Sequence, residues 1–148
     1  MKIVIGNDHF GYGLKLHIKE YLMQRGHEVL DVGTNQTERT DYPVFAIKAA
    51  KAIASGECEN GILICGSGVG MSIAANKVRG IRAVVCSESY SARLAKEHNN
   101  ANIVAFGSRV VGTAIAESIV DAFIGSVFDG GRHQRRLDMI SEIEVGDV

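Results

Sequence analysis

The sequence predicts an α/β domain in which a five-stranded parallel sheet carries helices on both faces, with one extra helix at the C-terminus. Three observations predict it. Short runs dense in Val and Ile, several nearly continuous in apolar residues, read as strands buried on both faces. Longer stretches of helical period separate them, and parallel strands need the crossovers that helices supply. At 148 residues and 46% apolar, with one Pro and 17 Gly, the chain has room for one compact domain over residues 1–148 and none for a separate cofactor domain.

The elements follow in order. The run 2–7, dense in Val and Ile, is the first strand, and a helix is expected over 13–25. A second strand at 28–32 precedes a helix over 43–55, and a third at 61–65 runs directly into a helix over 69–78. Strands at 82–86 and 102–106 are each followed by a helix, over 90–98 and 112–124. A polar helix over 131–144 ends the chain, and its apolar positions Leu137, Ile140 and Ile143 need a surface to cover. There is no internal repeat, low-complexity tract or linker.

Composition excludes several classes of function. Sixteen Lys and Arg against 17 Asp and Glu leave a net charge of −1, so no global basic field draws in nucleic acid or an anionic membrane. No apolar stretch approaches the roughly 18 to 20 residues of a membrane span. Residues 1–6 read as the start of a strand and not as a leader, so a cytoplasmic protein is expected. Cys58, Cys65 and Cys86 form an odd set without a C-x-x-C pair, which argues against a disulfide framework and a structural zinc site.

In open parallel sheets ligands bind beyond the carboxyl ends of the strands, so the residues there are the candidates. The most informative run is Ile62 to Asn76, where a strand ends at Cys65, glycines turn the backbone sharply, and a helix begins at once. Such a turn exposes N–H groups as an anion-binding nest. The Lys of a P-loop is missing, and Met71 takes the place of the last glycine of a dinucleotide fingerprint, although Glu88 stands where a ribose contact would. Cys65 reads either as a small core hydrophobe or as a thiol that a helix N-terminus makes available as thiolate. Cys58 and Cys86 read as structural.

Three further groups are open between chemistry and structure. Asp8 and His9 follow the first strand and suit a general acid, a phosphate contact or a helix cap. His98 ends a helix, where a cation gains dipole energy, and is also a group that titrates near neutrality. Arg132 and Arg136 leave one face of the last helix; either a phosphate lies between them or Asp138 and Glu142 partner them. His17 and His27 read as surface residues. A phospho-receiver would need an acceptor Asp where Cys65 stands.

The whole pattern closely resembles the ribose-5-phosphate isomerase B family, which includes allose-6-phosphate isomerase and the galactose-6-phosphate isomerase subunits. The likeness covers nearly the whole chain. It rests on Gly6–Gly11, Asp41-Tyr42-Pro43, Ile64–Gly70, Ala74–Lys77, Glu97–Asn102, Phe106–Arg109 and Gly131–Arg136. It implies a Rossmann-like three-layer α/β/α sandwich, no metal or other cofactor, and homodimers or tetramers whose active sites are shared between subunits. The implied reaction is the interconversion of D-ribose 5-phosphate and D-ribulose 5-phosphate, a step of the pentose phosphate pathway.

The resemblance also implies roles. Cys65 would move the proton between C2 and C1 through a cis-enediolate, with Ser67 beside it and the amides after Gly66, those of Gly68, Val69 and Gly70, holding the oxygen. His98, with Asp8, would open the furanose, and Tyr42 would lie against the sugar. His9, Arg132 and Arg136 would meet the phosphate, with Asn99 and Arg109 expected from the partner chain. Some branches of the family place a Glu near Met71, which itself cannot abstract a proton. The alternatives are allose 6-phosphate or galactose 6-phosphate as substrate, or a non-catalytic phosphosugar-binding module. The loop 35–39 offers no recognisable substrate contact.

Overall fold

The computed structural model describes residues 1–146. Strand β1 (Lys2–Asn7) leads through a single 3-10 turn (His9–Gly11) into helix α1 (Tyr12–Gln24). The chain continues as β2 (Glu28–Asp31), α2 (Tyr42–Ala54), β3 (Asn60–Cys65), α3 (Val69–Ala75), β4 (Ala83–Val85), α4 (Ser89–Asn99), β5 (Ile103–Gly107), α5 (Thr113–Ile124) and α6 (Arg132–Val145). All strand pairs are parallel and the sheet order is β2-β1-β3-β5-β4. The five βα units and the terminal helix therefore stand as expected. The fourth strand is shorter than expected, and β5 inserts between it and β3.

Two apolar layers sandwich the sheet, because successive side chains of a buried strand point to opposite faces. Ile3, Ile5, Ile62, Ile64 and Phe106 face Ile18 and Leu22 of α1, Ala92 of α4, and Ile119 and Phe123 of α5. Val4, Leu63, Cys65 and Ala105 face Ala46 and Ala49 of α2, and Met71 and Ala75 of α3. The alanine face of α2 lets that helix lie close to the sheet. Among the described residues no helix is long and apolar enough to cross a membrane.

The strand order fixes where a ligand belongs. The chain leaves β1 toward one edge and β3 toward the other, so the carboxyl ends of β1 and β3 flank the crevice of a topological switch point. Asn7 lies in register with Ile64, and Cys65 with Gly107. The stretches after β1, β3 and β5 thus meet at the centre of one sheet edge. Outside the sandwich, α6 buries only His133 and Leu137, and leaves Ile140 and Ile143 47% and 61% exposed.

Candidate active site

The glycines after β3 press the turn flat against β5. Gly68 has φ +81°, and a Cβ there would come within 2.9 Å of three backbone atoms of Phe106. Across the contact, a Cβ on Gly107 would meet Gly66 O at 2.6 Å. Ser108 N and Arg109 N donate to the carbonyls of Cys65 and Gly66 at 2.8 and 3.2 Å, fastening the turn to the β5 exit. The result is aimed at one atom: Gly68 N–H donates to Cys65 Sγ at 3.1 Å. The main-chain donor holds the sulfur in place and presents an N–H to its lone pairs. Cys65 is 5% exposed.

Of the three amides expected to hold a sugar oxygen, two have acceptors within the chain. Val69 N–H donates to Ser67 Oγ at 3.2 Å, so it and the Gly68 amide both have intrachain acceptors. Among the described residues the Gly70 amide has none. Gly70 also forms the floor under Tyr42, because a Cβ there would lie 2.7 Å from the phenol ring. Tyr42, in the first turn of α2, is thereby placed over the start of α3.

Asp8 is the cap of the turn after β1, its Oδ1 accepting from Gly11 N at 3.1 Å, and it is 4% exposed. His9 is gripped by a residue outside every sequence signature. Thr40 N donates to His9 Nδ1 at 3.1 Å, and Thr40 Oγ1 accepts from His9 N at 3.2 Å. Because Nδ1 accepts, the proton of the neutral ring sits on Nε2, which is left for another acceptor. The loop carrying Thr40 is held by Lys15, wholly buried, which donates to Asp31, Thr34 O and Asn35 Oδ1 at 2.7 to 3.1 Å. Asn7 Nδ2 joins it at Thr34 O, and Gly33 passes so close to Asn7 Oδ1 that a Cβ would lie 1.7 Å away. No local periodicity announces any of this, since Lys15 looks from the sequence like a solvated helix residue.

Arg109 lies in the same chain as this cluster, its guanidinium 5.2 Å over the Phe10 ring and its stem beside Gly66. Glu88 caps α4 through Ser91 N at 2.9 Å, and that bond holds its carboxyl below the usual range. The ribose contact considered for it is spent on the helix. Burial pushes the Cys86 thiol up to about 11 and also raises Cys58, in keeping with their structural reading.

The remaining candidates stand elsewhere. Arg82 caps the end of α4 through the carbonyls of Asn99 and Asn100, Asn100 taking φ +43°, and Lys96 reaches Asn60 at the start of β3. His98 and Asn99 therefore sit at the amino edge of the sheet, a strand's length or roughly 17 Å from Cys65 in the same chain. There His98 stacks on His133, ring centroids 4.2 Å apart and planes at 11°, with Asp129 Oδ2 3.9 Å from His98 Nε2. Arg132 and Arg136 open α6 beside them, and Asp138 is engaged by Gln134, not by either arginine. One chain thus carries the two halves of the expected site on opposite edges.

Residues 3–140 match the Ribose/Galactose Isomerase family. The chain belongs to that family. It is 58% identical over 143 residues to ribose-5-phosphate isomerase B of Escherichia coli (strain K12), covering 97% of this chain and 96% of that one. The solved structure of Clostridium thermocellum ribose-5-phosphate isomerase B superposes with a TM-score of 0.98 at 55% identity over the full length of both chains. That of a Thermotoga maritima ribose 5-phosphate isomerase gives 0.93 at 50% identity, covering 95% and 97%. The three-layer sandwich with its terminal helix is therefore the fold of this isomerase family, and the Cys65 turn at its switch point is the candidate active site.

Proposed function

We propose that the protein interconverts D-ribose 5-phosphate and D-ribulose 5-phosphate, with Cys65 as the carbon base. The observation that carries the reading is the Gly68 amide on Cys65 Sγ at the β1/β3 switch point. A phosphosugar-binding module has no use for a sulfur held this way. Similarity to the E. coli, C. thermocellum and T. maritima enzymes supports ribose 5-phosphate as the sugar.

The chemistry follows from the weak acidity of a C–H beside a carbonyl. His98 opens the furanose by passing a proton to the ring oxygen as the C1 hydroxyl loses its own, with Asp8 assisting. The Cys65 thiolate takes the proton from C2, and the electron pair forms the C1–C2 double bond while the carbonyl electrons move to O1. The free Gly70 amide and Ser67 meet that oxygen. Cys65 then returns the proton to C1 while the proton of the C2 hydroxyl passes to O1, leaving the ketone at C2 and a hydroxyl on C1. Placed acid–base groups contribute about 100-fold to 10,000-fold, and one oriented donor to the oxyanion about 3 to 4 kcal/mol. Every proton moves between groups of the protein and the sugar, so the scheme needs no metal or other cofactor.

The phosphate falls to His9 Nε2, Arg132 and Arg136, with Asn99 near them. Since His98 and the two arginines lie at the other edge of their own chain, the complete site is one shared in a homodimer, where α6 of one chain reaches the Cys65 turn of its partner. The exposed Ile140 and Ile143 of α6 support such a docked position. The test is an isomerisation assay with chelator present, comparing ribose 5-phosphate, allose 6-phosphate and galactose 6-phosphate. The highest kcat/KM is expected on ribose 5-phosphate; binding of all three without turnover would make the protein a phosphosugar sensor.

A further inference from the structure

Helix α6 buries two side chains, His133 and Leu137, four residues apart on one stripe. Leu137 is what such a stripe ordinarily carries, whereas an imidazole at 8% exposure has been placed where an apolar side chain would pack more simply. Its flat face is used against His98, whose own side chain remains 37% exposed. Asp129 is fixed beside the pair by its amide, which donates to Glu97 O at 2.9 Å. The ring nitrogens and the carboxylate lie within 4.8 Å of one another. Stacked rings direct their in-plane lone pairs along parallel lines, however, so they do not converge on one ion. The arrangement orients a ring instead.

The charges around the stack agree with that use. Arg132 and Arg136 face it from α6, Asp129 from the connection after α5, and Glu97 of α4 is turned to Arg93. Burial first, and then the positive charges of His98, Arg132 and Arg136, lower the proton affinity of His133. A neutral ring can lie on His98 in either of its protonation states without adding charge of its own. Without it, a partly exposed histidine in the last turn of a helix turns freely about χ2. Proton transfer requires the nitrogen within hydrogen-bond reach of the oxygen it serves.

We propose that His133 is a positioning residue for His98, its ring fixing the plane of the His98 imidazole and hence the direction of its nitrogens during ring opening. The proposal rests on the reading of His98 as the ring-opening group. It is separable from the Cys65 step by the chemistry of the two sugars. Ribose 5-phosphate arrives as a furanose, whereas ribulose 5-phosphate has its C5 oxygen esterified and no hydroxyl placed to close a five-membered ring on C2. Solvent deuterium entering C1 of ribulose 5-phosphate thus reports the carbon base alone.

The experiment measures ribose 5-phosphate turnover and this deuterium incorporation in the full dimeric protein for His133→Ala, His133→Phe and His98→Ala. His133→Ala is expected to lower kcat on ribose 5-phosphate about 10-fold to 100-fold, the scale of a misplaced catalytic group, with deuterium incorporation retained. His133→Phe, which keeps a flat ring, is expected to recover most of that turnover. Wild-type turnover in His133→Ala while His98→Ala is crippled would overturn the proposal alone. Equal loss of turnover and exchange in both His133 variants would also overturn it, as general damage to the fold. Unimpaired turnover in His98→Ala would instead remove the reading beneath it.

Discussion

Gly68→Ala puts the geometry of the sulfur under the most direct load. An alanine would have to hold φ near +81°, which costs an L-residue about 1 to 2 kcal/mol. Its methyl would also press on Phe106 N, Cα and C at 2.9 Å. Phe106 is fully buried in β5, which is paired to β3 and β4, so the strand cannot give way. The turn must lift, carrying the Gly68 amide away from Sγ. A hydrogen bond to a charged group is worth about 1.5 to 3 kcal/mol, so its loss from the reacting sulfur is expected to slow that sulfur's reactions by about 10-fold to 150-fold. Two readouts follow at neutral pH. The rate of Cys65 alkylation by iodoacetamide should fall by that factor, and kcat should fall with it while the variant remains folded. Cys86, held up to about 11, and the raised Cys58 contribute little thiolate there. A folded variant with wild-type alkylation and wild-type kcat would refute the reasoning, since the amide would then be doing nothing for the sulfur.

Other consequences reach beyond the turn. Lys15→Met leaves the Asp31 carboxylate and the loop acceptors without their buried ammonium and should cost about 3 to 5 kcal/mol in denaturant unfolding, with KM for ribose 5-phosphate raised; a cost below about 1 kcal/mol would contradict the assigned role. Thr40→Val keeps the amide that holds His9 Nδ1 but removes the hydroxyl that accepts from His9 N. A neutral hydrogen bond of about 1 kcal/mol predicts a KM about fivefold higher and an unchanged kcat, readable in initial-rate kinetics. Burial and the nearby Arg82 charge bring Lys96 down to about 8 from an ordinary 10.5. Between those values the unfolded chain holds a proton that the folded one has released, so raising the pH favours the folded state across that window and not below it. Wild type should therefore gain stability on Lys96→Met between about pH 8 and pH 10.5 in paired unfolding curves; a constant difference would refute this.

Much of the fold is legible because it is local. The Val- and Ile-dense runs at 2–7 and 61–65 announce strands buried on both faces, and Gly66, Gly68 and Gly70 after Cys65 announce the turn that sets the thiol. The i, i+4 spacing of Arg132 and Arg136 likewise identifies a shared helix face. What stays hidden depends on contacts between distant segments. The insertion of β5 between β3 and β4 is a choice of pairing that no strand states by itself. Thr40 sits in a loop without periodicity, and Lys15 becomes an interior residue only because Asp31 and the 34–35 loop close over it. The placement of His98 away from Cys65 follows from the direction of α4, a property of the topology and not of the Glu97–Asn102 signature.

The central claim is that Cys65 is the group that takes a proton from carbon. Incubation of Cys65→Ala with ribulose 5-phosphate in deuterated water, followed by proton NMR at C1, addresses that claim alone. The account predicts that the wild type incorporates deuterium and that the variant binds the sugar but incorporates none above the uncatalysed rate. Deuterium entering C1 at the wild-type rate in Cys65→Ala would contradict it and assign the carbon base to another group.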